Sequence, residues 1–163
     1  MINPTENNYA FIDSQNLNLS IQDQGWKLDW GKFRIYLKDK HRVTKAYFFI
    51  GFIPTNQSLY TSLQKDGYIL IFKPTLSLPN GKPKGNVDAE LVLHTILEIN
   101  NYDKAVIVSG DGDYYCLVKH LKKENKLKSL VIPNRNRYSS LLREFSSEMA
   151  FVTDLKQKVE YTK

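Results

Sequence analysis

The sequence predicts a single α/β domain built on a mainly parallel, doubly wound sheet with helices on both faces. Three observations predict it. Strand-like and helix-like segments alternate along most of the chain. The strand-like segments, among them "YAFID", "YILIFK" and "KAVIV", are apolar throughout instead of alternating in polarity, as strands covered on both faces must be. The 163 residues carry no repeat and no low-complexity stretch, and that length suits one domain with a full core.

The elements follow in order. "YAFID" (9–13) reads as a short buried strand, and a polar stretch rich in Asn and Gln follows it. "DWGKFRIYLKDKH" (29–41) reads as a helix with Asp29 as N-cap and basic residues near its end, where the helix dipole favours them. "VTKAYFFIGF" (43–52) is β-branched and aromatic, hence a strand, and Pro54 ends it. "NQSLYTSLQKDG" (56–67) reads as a helix closed by Gly67, and "YILIFK" (68–73) as a strand. "PTLSLPNGKPKGN" (74–86), with three prolines, reads as a long loop. "VDAELVLHTILEIN" (87–100) is apolar on most sides and is predicted to be a well-buried helix. "KAVIVS" (104–109), "YYCLVKHLKKEN" (114–125), "LKSLVIP" (127–133) and "YSSLLREFSSEM" (138–149) read as strand, helix, strand and helix. "AFVTDL" (150–155) adds a final short strand.

Composition excludes several classes. With 42% hydrophobic and 25% charged residues, the chain is neither disordered nor collagen-like. No apolar run approaches the roughly 20 residues that span a bilayer. "MINPTENN" lacks the basic and apolar regions of a signal peptide. Cys116 is the only cysteine, which excludes an internal disulfide and points to the reducing cytoplasm. The net charge of +6 lies wholly in the last third: residues 1–113 hold 12 basic and 12 acidic side chains, residues 114–163 hold 11 and 5. Such asymmetry suits a polyanionic partner such as nucleic acid, with a solvated lysine-rich face as the competing reading.

Four acids fall where an α/β sheet binds ligands, beyond the carboxyl ends of its strands. Asp13 closes the first strand, Asp88 sits in the first turn of the helix after the long loop, and Asp111 and Asp113 follow the strand 104–109. Right-handed crossovers bring these ends to one sheet edge. Clustered carboxylates repel one another and resist burial. A divalent cation offsets both costs, and oxygen-only donors suit Mg²⁺ or Mn²⁺. Such an ion on carboxylates, with water and phosphate oxygens, carries out phosphodiester hydrolysis. Each acid also has a plain structural role open to it: "GDGD" as a turn, Asp13 as a helix N-cap, Asp88 as a first-turn acid. Their convergence is what favours a site.

Other chemistries fit poorly. "SGDGDYY" lacks the third glycine of a dinucleotide fingerprint, and its acids would repel a pyrophosphate. Tyr115 and the basic residues after it break an EF-hand pattern. Gln15 stands where an aspartyl-nucleophile phosphatase needs its second acid. His41, His94 and His120 have no zinc-ligand spacing, and His94 is expected in the core.

"YAFIDSQNL", "KGNVDAELVL" and "KAVIVSGDGDYYCLVKHL", in that order and spacing, resemble the NYN-domain family of PIN-like nucleases, specifically its bacterial LabA-like members. The likeness covers 9–153 of a single domain, 1–163. It implies a Rossmann-like PIN fold and metal-dependent RNA cleavage, with Mg²⁺ or Mn²⁺ held by Asp13, Asp88, Asp111 and Asp113. Asn16 matches the polar residue after the first acid, and Ser109 the serine before "GDGD"; both join the implied catalytic set. Ser14 departs from the glycine of many relatives, a mild change that leaves the carboxylate in place.

By its residue type, Asn16 suits either orienting water or a phosphate, or capping a helix start. Ser109 suits either hydrogen bonding to a bound water or closing the strand. Candidate RNA contacts are Lys82 and Lys84 in the loop before Asp88, and Arg135, Arg137 and Arg143 around Tyr138 in "PNRNRYSSLLR" (133–143), since arginine beside an aromatic suits single-stranded nucleic acid. The leading reading is a cytoplasmic Mg²⁺- or Mn²⁺-dependent endoribonuclease. The alternatives are a non-catalytic RNA-binding or regulatory module of the same fold, and a hydrolase of small phosphoesters. RNA is the expected partner, no membrane is expected, and the sequence permits a homodimer.

Overall fold

The computed structural model describes residues 6–74, 76–77, 83–84 and 86–163. Six strands, β1 (Asn8–Asp13), β2 (Val43–Gly51), β3 (Tyr68–Lys73), β6 (Ala105–Val108), β7 (Leu127–Ile132) and β8 (Met149–Phe151), form one sheet in the order β3-β2-β1-β6-β7-β8. Every pairing in it is parallel. Numbered by chain order among themselves, the six lie 3-2-1-4-5-6, the order of a Rossmann-type sheet with its switch point between first and fourth. At that centre Ile12 of β1 stands opposite Phe48 on one side and Val108 on the other. The long loop carries a two-residue antiparallel pair, β4 (Leu76–Ser77) with β5 (Pro83–Lys84).

Both faces of the sheet are apolar because both are covered. Successive side chains of a strand point to opposite faces. Tyr9, Phe11, Tyr47, Phe49, Ala105 and Ile107 face one cluster, with α4 (Asp88–Leu97), α5 (Tyr115–Lys123) and the 3₁₀ stretch Ser140–Glu148. Ala10, Ile12, Ala46, Phe48, Val106 and Val108 face the other, with α1 (Ser14–Asp23), α2 (Trp30–His41), α3 (Gln57–Lys65) and α6 (Lys156–Val159). The six strands of this sheet therefore show no polar alternation.

Local signals set most boundaries. Asp29 Oδ1 accepts the Lys32 amide at 3.0 Å and starts α2. The residue past its end, Arg42, is left-handed, with φ 56°. Gly67, with φ 102°, follows α3 in the conformation glycine adopts at least cost.

Four differences from the sequence reading have physical causes. The polar stretch after β1 is a helix, α1: its one apolar pair, Leu17 and Ile21, is spaced four apart and fully buried, each contributing about 2 kcal/mol. α4 is not well buried, because only one side of it meets the sheet. Leu91 and Thr95 are covered, whereas Leu93 and Leu97 are 59% and 69% exposed. His94 is likewise half-buried, its ring tilted 54° to that of Tyr47 at 4.7 Å and its Nε2 4.0 Å from Glu98. Residues 140–148 form a 3₁₀ helix, capped by Ser139 Oγ, which accepts the Leu141 amide at 3.3 Å, and kinked at Phe145. α6 extends the fold past the expected last strand.

The buried polar groups at the other end of the sheet are paired. Asn8 Nδ2 donates to the His41 carbonyl at 2.8 Å, and Asn8 Oδ1 accepts the Lys104 amide at 3.1 Å, which ties β1 to the end of α2 and the start of β6. His41 lies 3.0 Å from the Tyr36 hydroxyl, and burial lowers its pKa to about 4. An unfolded histidine titrates near 6.5. Between these values the unfolded chain binds the extra proton, so stability falls as pH falls from 6.5 to 4. Denaturant unfolding is expected to show His41→Gln losing about 2 kcal/mol less than the parent between pH 6.5 and 4.5, and equal slopes would refute the assignment.

Candidate metal centre

The site arises where two neighbouring strands send their helices to opposite faces. α1 leaves β1 toward one face, while α5 leaves β6 toward the other, so their carboxyl ends border a crevice. Asp13, the last residue of β1, is 5% exposed. Asp111, two residues beyond Ser109 on the β6 side, is half-buried. Asp88, the first residue of α4, is half-buried beside them. One carboxylate oxygen from each of Asp13, Asp88 and Asp111 lies within 4.8 Å of the others.

Capping and clustering coexist in these acids. Asp13 Oδ1 accepts the Asn16 amide at 3.2 Å and N-caps α1. Asp111 Oδ1 accepts the Asp113 amide at 2.8 Å and caps the 3₁₀ turn Gly112–Tyr114. The Asp88 amide donates to Asn86 Oδ1 at 2.8 Å, which orients the start of α4. Capping engages one oxygen of Asp13 and one of Asp111 and leaves the other to the crevice.

Asn16 and Ser109 hold the frame. Asn16 Oδ1 accepts the Gly110 amide at 2.9 Å, which fastens α1 to the loop after β6. Ser109 Oγ accepts the Asp111 amide at 3.1 Å and lies 3.4 Å from Asp13 Oδ2. Gly112 is required by close approach: a Cβ there would lie 2.4 Å from Ser139 Oγ. "GDGD" is thus a turn packed under the 3₁₀ stretch, not a free surface loop.

Tyr114 is a site residue that the sequence reading passed over. It is 1% exposed; its hydroxyl donates to Asp88 Oδ1 at 2.8 Å and lies 3.2 Å from Asp13 Oδ2. Its signal was present in "GDGDYY": a tyrosine buried at a strand tip must find a polar partner for its hydroxyl. Asp113 stands outside the trio, exposed, with its carboxyl close enough to Asp88 to disfavour that group's ionisation.

Burial pushes the Asp13 carboxyl up to about 6, and the charges of Asp88 and Asp111 add to the rise against the lowering hydrogen bonds from Asn16 and Tyr114. Burial likewise raises Asp88, with Asp113 adding to it. Burial and the two flanking carboxylates raise Tyr114 far above a normal phenol, so it stays a proton donor. Asp88 Oδ2 is buried with no hydrogen-bond partner among the described residues. A buried carboxylate oxygen without a partner among the described residues, on an acid that clusters with two others, fits a hard divalent cation, which takes oxygen donors.

Two of the candidate RNA contacts, Arg135 and Arg137, are ion-paired. Arg135 pairs with Asp154 and lies 4.0 Å over the Phe151 ring. Arg137 is 3.7 Å from Asp23, and Arg143 is exposed. Tyr138 is half-buried, with its Cβ against Gly110 and its ring 5.9 Å from Phe151. Lys84 lies in β5, and Lys82 lies outside the described residues.

An all-parallel sheet in this order, with three carboxylates at its switch point, is a PIN-like, Rossmann-type fold with an acidic cluster. Residues 9–152 match the NYN domain, and the chain belongs to that family. It is 24% identical over 162 residues to the low amplitude and bright protein LabA of Synechococcus elongatus, covering 93% of this chain and 87% of that protein. The crystal structure of a protein of unknown function from Vibrio parahaemolyticus shares the fold, with a TM-score of 0.77 and 21% identity over 99% of this chain and 100% of that one.

Two outcomes test the centre. The folded Asp13 carboxyl holds its proton to about pH 6 and the unfolded one only to about 3.8, so this group's contribution to stability falls as pH rises between those values. Asp13→Asn, which keeps the cap, is expected to stabilise the metal-free protein at pH 7.5 by about 2 kcal/mol in denaturant unfolding while abolishing stabilisation by Mn²⁺. Tyr114→Phe is expected to fold and to bind Mn²⁺ about tenfold to a hundredfold more weakly by calorimetry, because it removes the group that orients Asp88 and Asp13.

Proposed function

We propose that this chain is a cytoplasmic endoribonuclease that hydrolyses RNA phosphodiester bonds with Mg²⁺ or Mn²⁺ held by Asp13, Asp88 and Asp111. The observation that carries the reading is the trio of carboxylates within 4.8 Å, one of them with a buried oxygen lacking any partner among the described residues. A binding module for RNA gains nothing from this arrangement, since three acids repel phosphate. The cation would supply positive charge to the phosphoryl group and make water more acidic. Tyr114 and Ser109 orient Asp13, Tyr114 orients Asp88, and Asn16 fastens the Gly110 loop. Asp113, exposed beside Asp88, accepts the proton that the attacking water loses. Lys73, whose ammonium reaches the Asn86 carbonyl and lies 3.8 Å from Glu90, supplies positive charge at the start of α4.

Purified protein incubated with mixed RNA is expected to give products with Mn²⁺ or Mg²⁺ and none with EDTA. Asp111→Asn is expected to lower the rate about a hundredfold to a thousandfold with circular dichroism unchanged. RNA binding without metal-dependent products would assign the chain to non-catalytic RNA modules. Cleavage of mononucleotides without salt-sensitive RNA binding would assign it to small-phosphoester hydrolases.

A further inference from the structure

A second concavity adjoins the metal centre, a cavity of about 440 Å³ between α1, α2, α3 and the end of β2. Ser14 and Val87 line it, and each directly precedes or follows a metal-centre acid: Ser14 follows Asp13, and Val87 precedes Asp88. Ser14 is held there by its hydroxyl, which donates to the Phe49 carbonyl at 2.7 Å. The cavity and the carboxylates therefore share a border.

Its walls differ in chemistry from that border. The indole of Trp30 and the ring of Phe48, packed edge-on at 5.0 Å, form part of the apolar lining. Four neutral amides, Gln15, Asn18, Gln22 and Asn56, also line it. No side-chain hydrogen bond ties any of these four to another described residue. Among the described residues Lys27 is the one charged residue of the lining, and no acid contributes. Aromatic and apolar walls accept a flat ring, free amides both donate to and accept from ring edges, and the lack of acids tolerates an attached phosphate. The volume falls within the range of about 300–1,000 Å³ usual for small-ligand pockets.

We infer that this cavity is a nucleobase pocket, which takes one base of a single-stranded RNA whose adjoining phosphate lies at the carboxylates. The inference rests on the nuclease reading for its substrate class and adds base selection to it. Stacking against the aromatic wall supplies affinity, and the amides read the base edge. Gln15, Asn18, Gln22 and Asn56 are then specificity-determining residues, apart from the metal centre.

The test reads binding alone, in EDTA. Trp26→Phe leaves Trp30 as the sole tryptophan, because the chain has two. This protein is titrated with single-stranded RNA tetramers of A, C, G or U and with an abasic tetramer, following Trp30 fluorescence. A saturable response to at least one base, about tenfold weaker for the abasic strand, is expected. Asn18→Phe, which puts a bulky ring into the lining, is expected to weaken that binding about tenfold, and Asn56→Ala, at an amide with no partner to lose among the described residues, to change the order of preference among bases. A silent Trp30, an equal response to the abasic strand, or parental binding by both variants would overturn the pocket. The two readings fail separately. Base-dependent binding that persists in Asp111→Asn, with no cleavage by the parent, leaves the pocket and removes the nuclease. Metal-dependent cleavage without base preference and with a silent Trp30 leaves the nuclease and removes the pocket.

Discussion

The structure depends on the adjacency of β1 and β6 at the centre of the sheet. The two strands pair in parallel, and the helices that follow them leave to opposite faces. No crossover can cover the gap between their ends, so the chain has an opening there that packing cannot close. The metal centre borders that opening. Asp13 ends one strand, Ser109 and Asp111 follow the other, and α4 supplies Asp88. The apolar strands beneath form a rigid floor, since Ile12, Val108 and Ile107 are fully buried.

Bringing three acids to that opening costs stability, and the fold lowers that cost by giving two of them a second task. Asp13 and Asp111 also cap helical turns, and the Asp88 backbone is fixed by Asn86. Tyr114 brings a neutral proton donor between Asp13 and Asp88, so repulsion between them is shared with a hydroxyl. What remains uncompensated, the raised Asp13 and the Asp88 oxygen without a partner among the described residues, is a demand for positive charge. The same reasoning separates this crevice from the cavity beside it: one is lined by acids, the other by amides, aromatics and a lysine.

The basic excess of the last third has no single address. Lys122 pairs with Glu148, Lys128 with Glu6, Arg135 with Asp154 and Arg137 with Asp23. Lys126 is spent on the carbonyls of Ile99 and Tyr102. A local count of charge along the chain overlooks these pairings because the partners of Lys128 and Arg137 lie in the first 25 residues. Charge asymmetry in the sequence thus overstates the asymmetry of the surface.

The sequence by itself determined the sheet. Runs such as "AFI" and "AVIV", alternating with helical segments, read as strands buried on both faces, and Asp29 marks a helix start through its side-chain oxygen and Gly67 a helix end through its backbone freedom. It also placed Asp13, Asp88 and Asp111, because residues at the ends of parallel strands and at a helix start share an edge. Tertiary structure decided what depends on neighbours distant in sequence. α1 exists because Leu17 and Ile21 find the sheet; local propensity in "SQNLNLSIQD" does not demand a helix. α4 is half bare because the sheet covers only one side of it. Tyr114 joins the site because its hydroxyl reaches two carboxylates 26 and 101 residues away. Periodicity reports which residues avoid water; only the folded chain determines which polar atoms then meet.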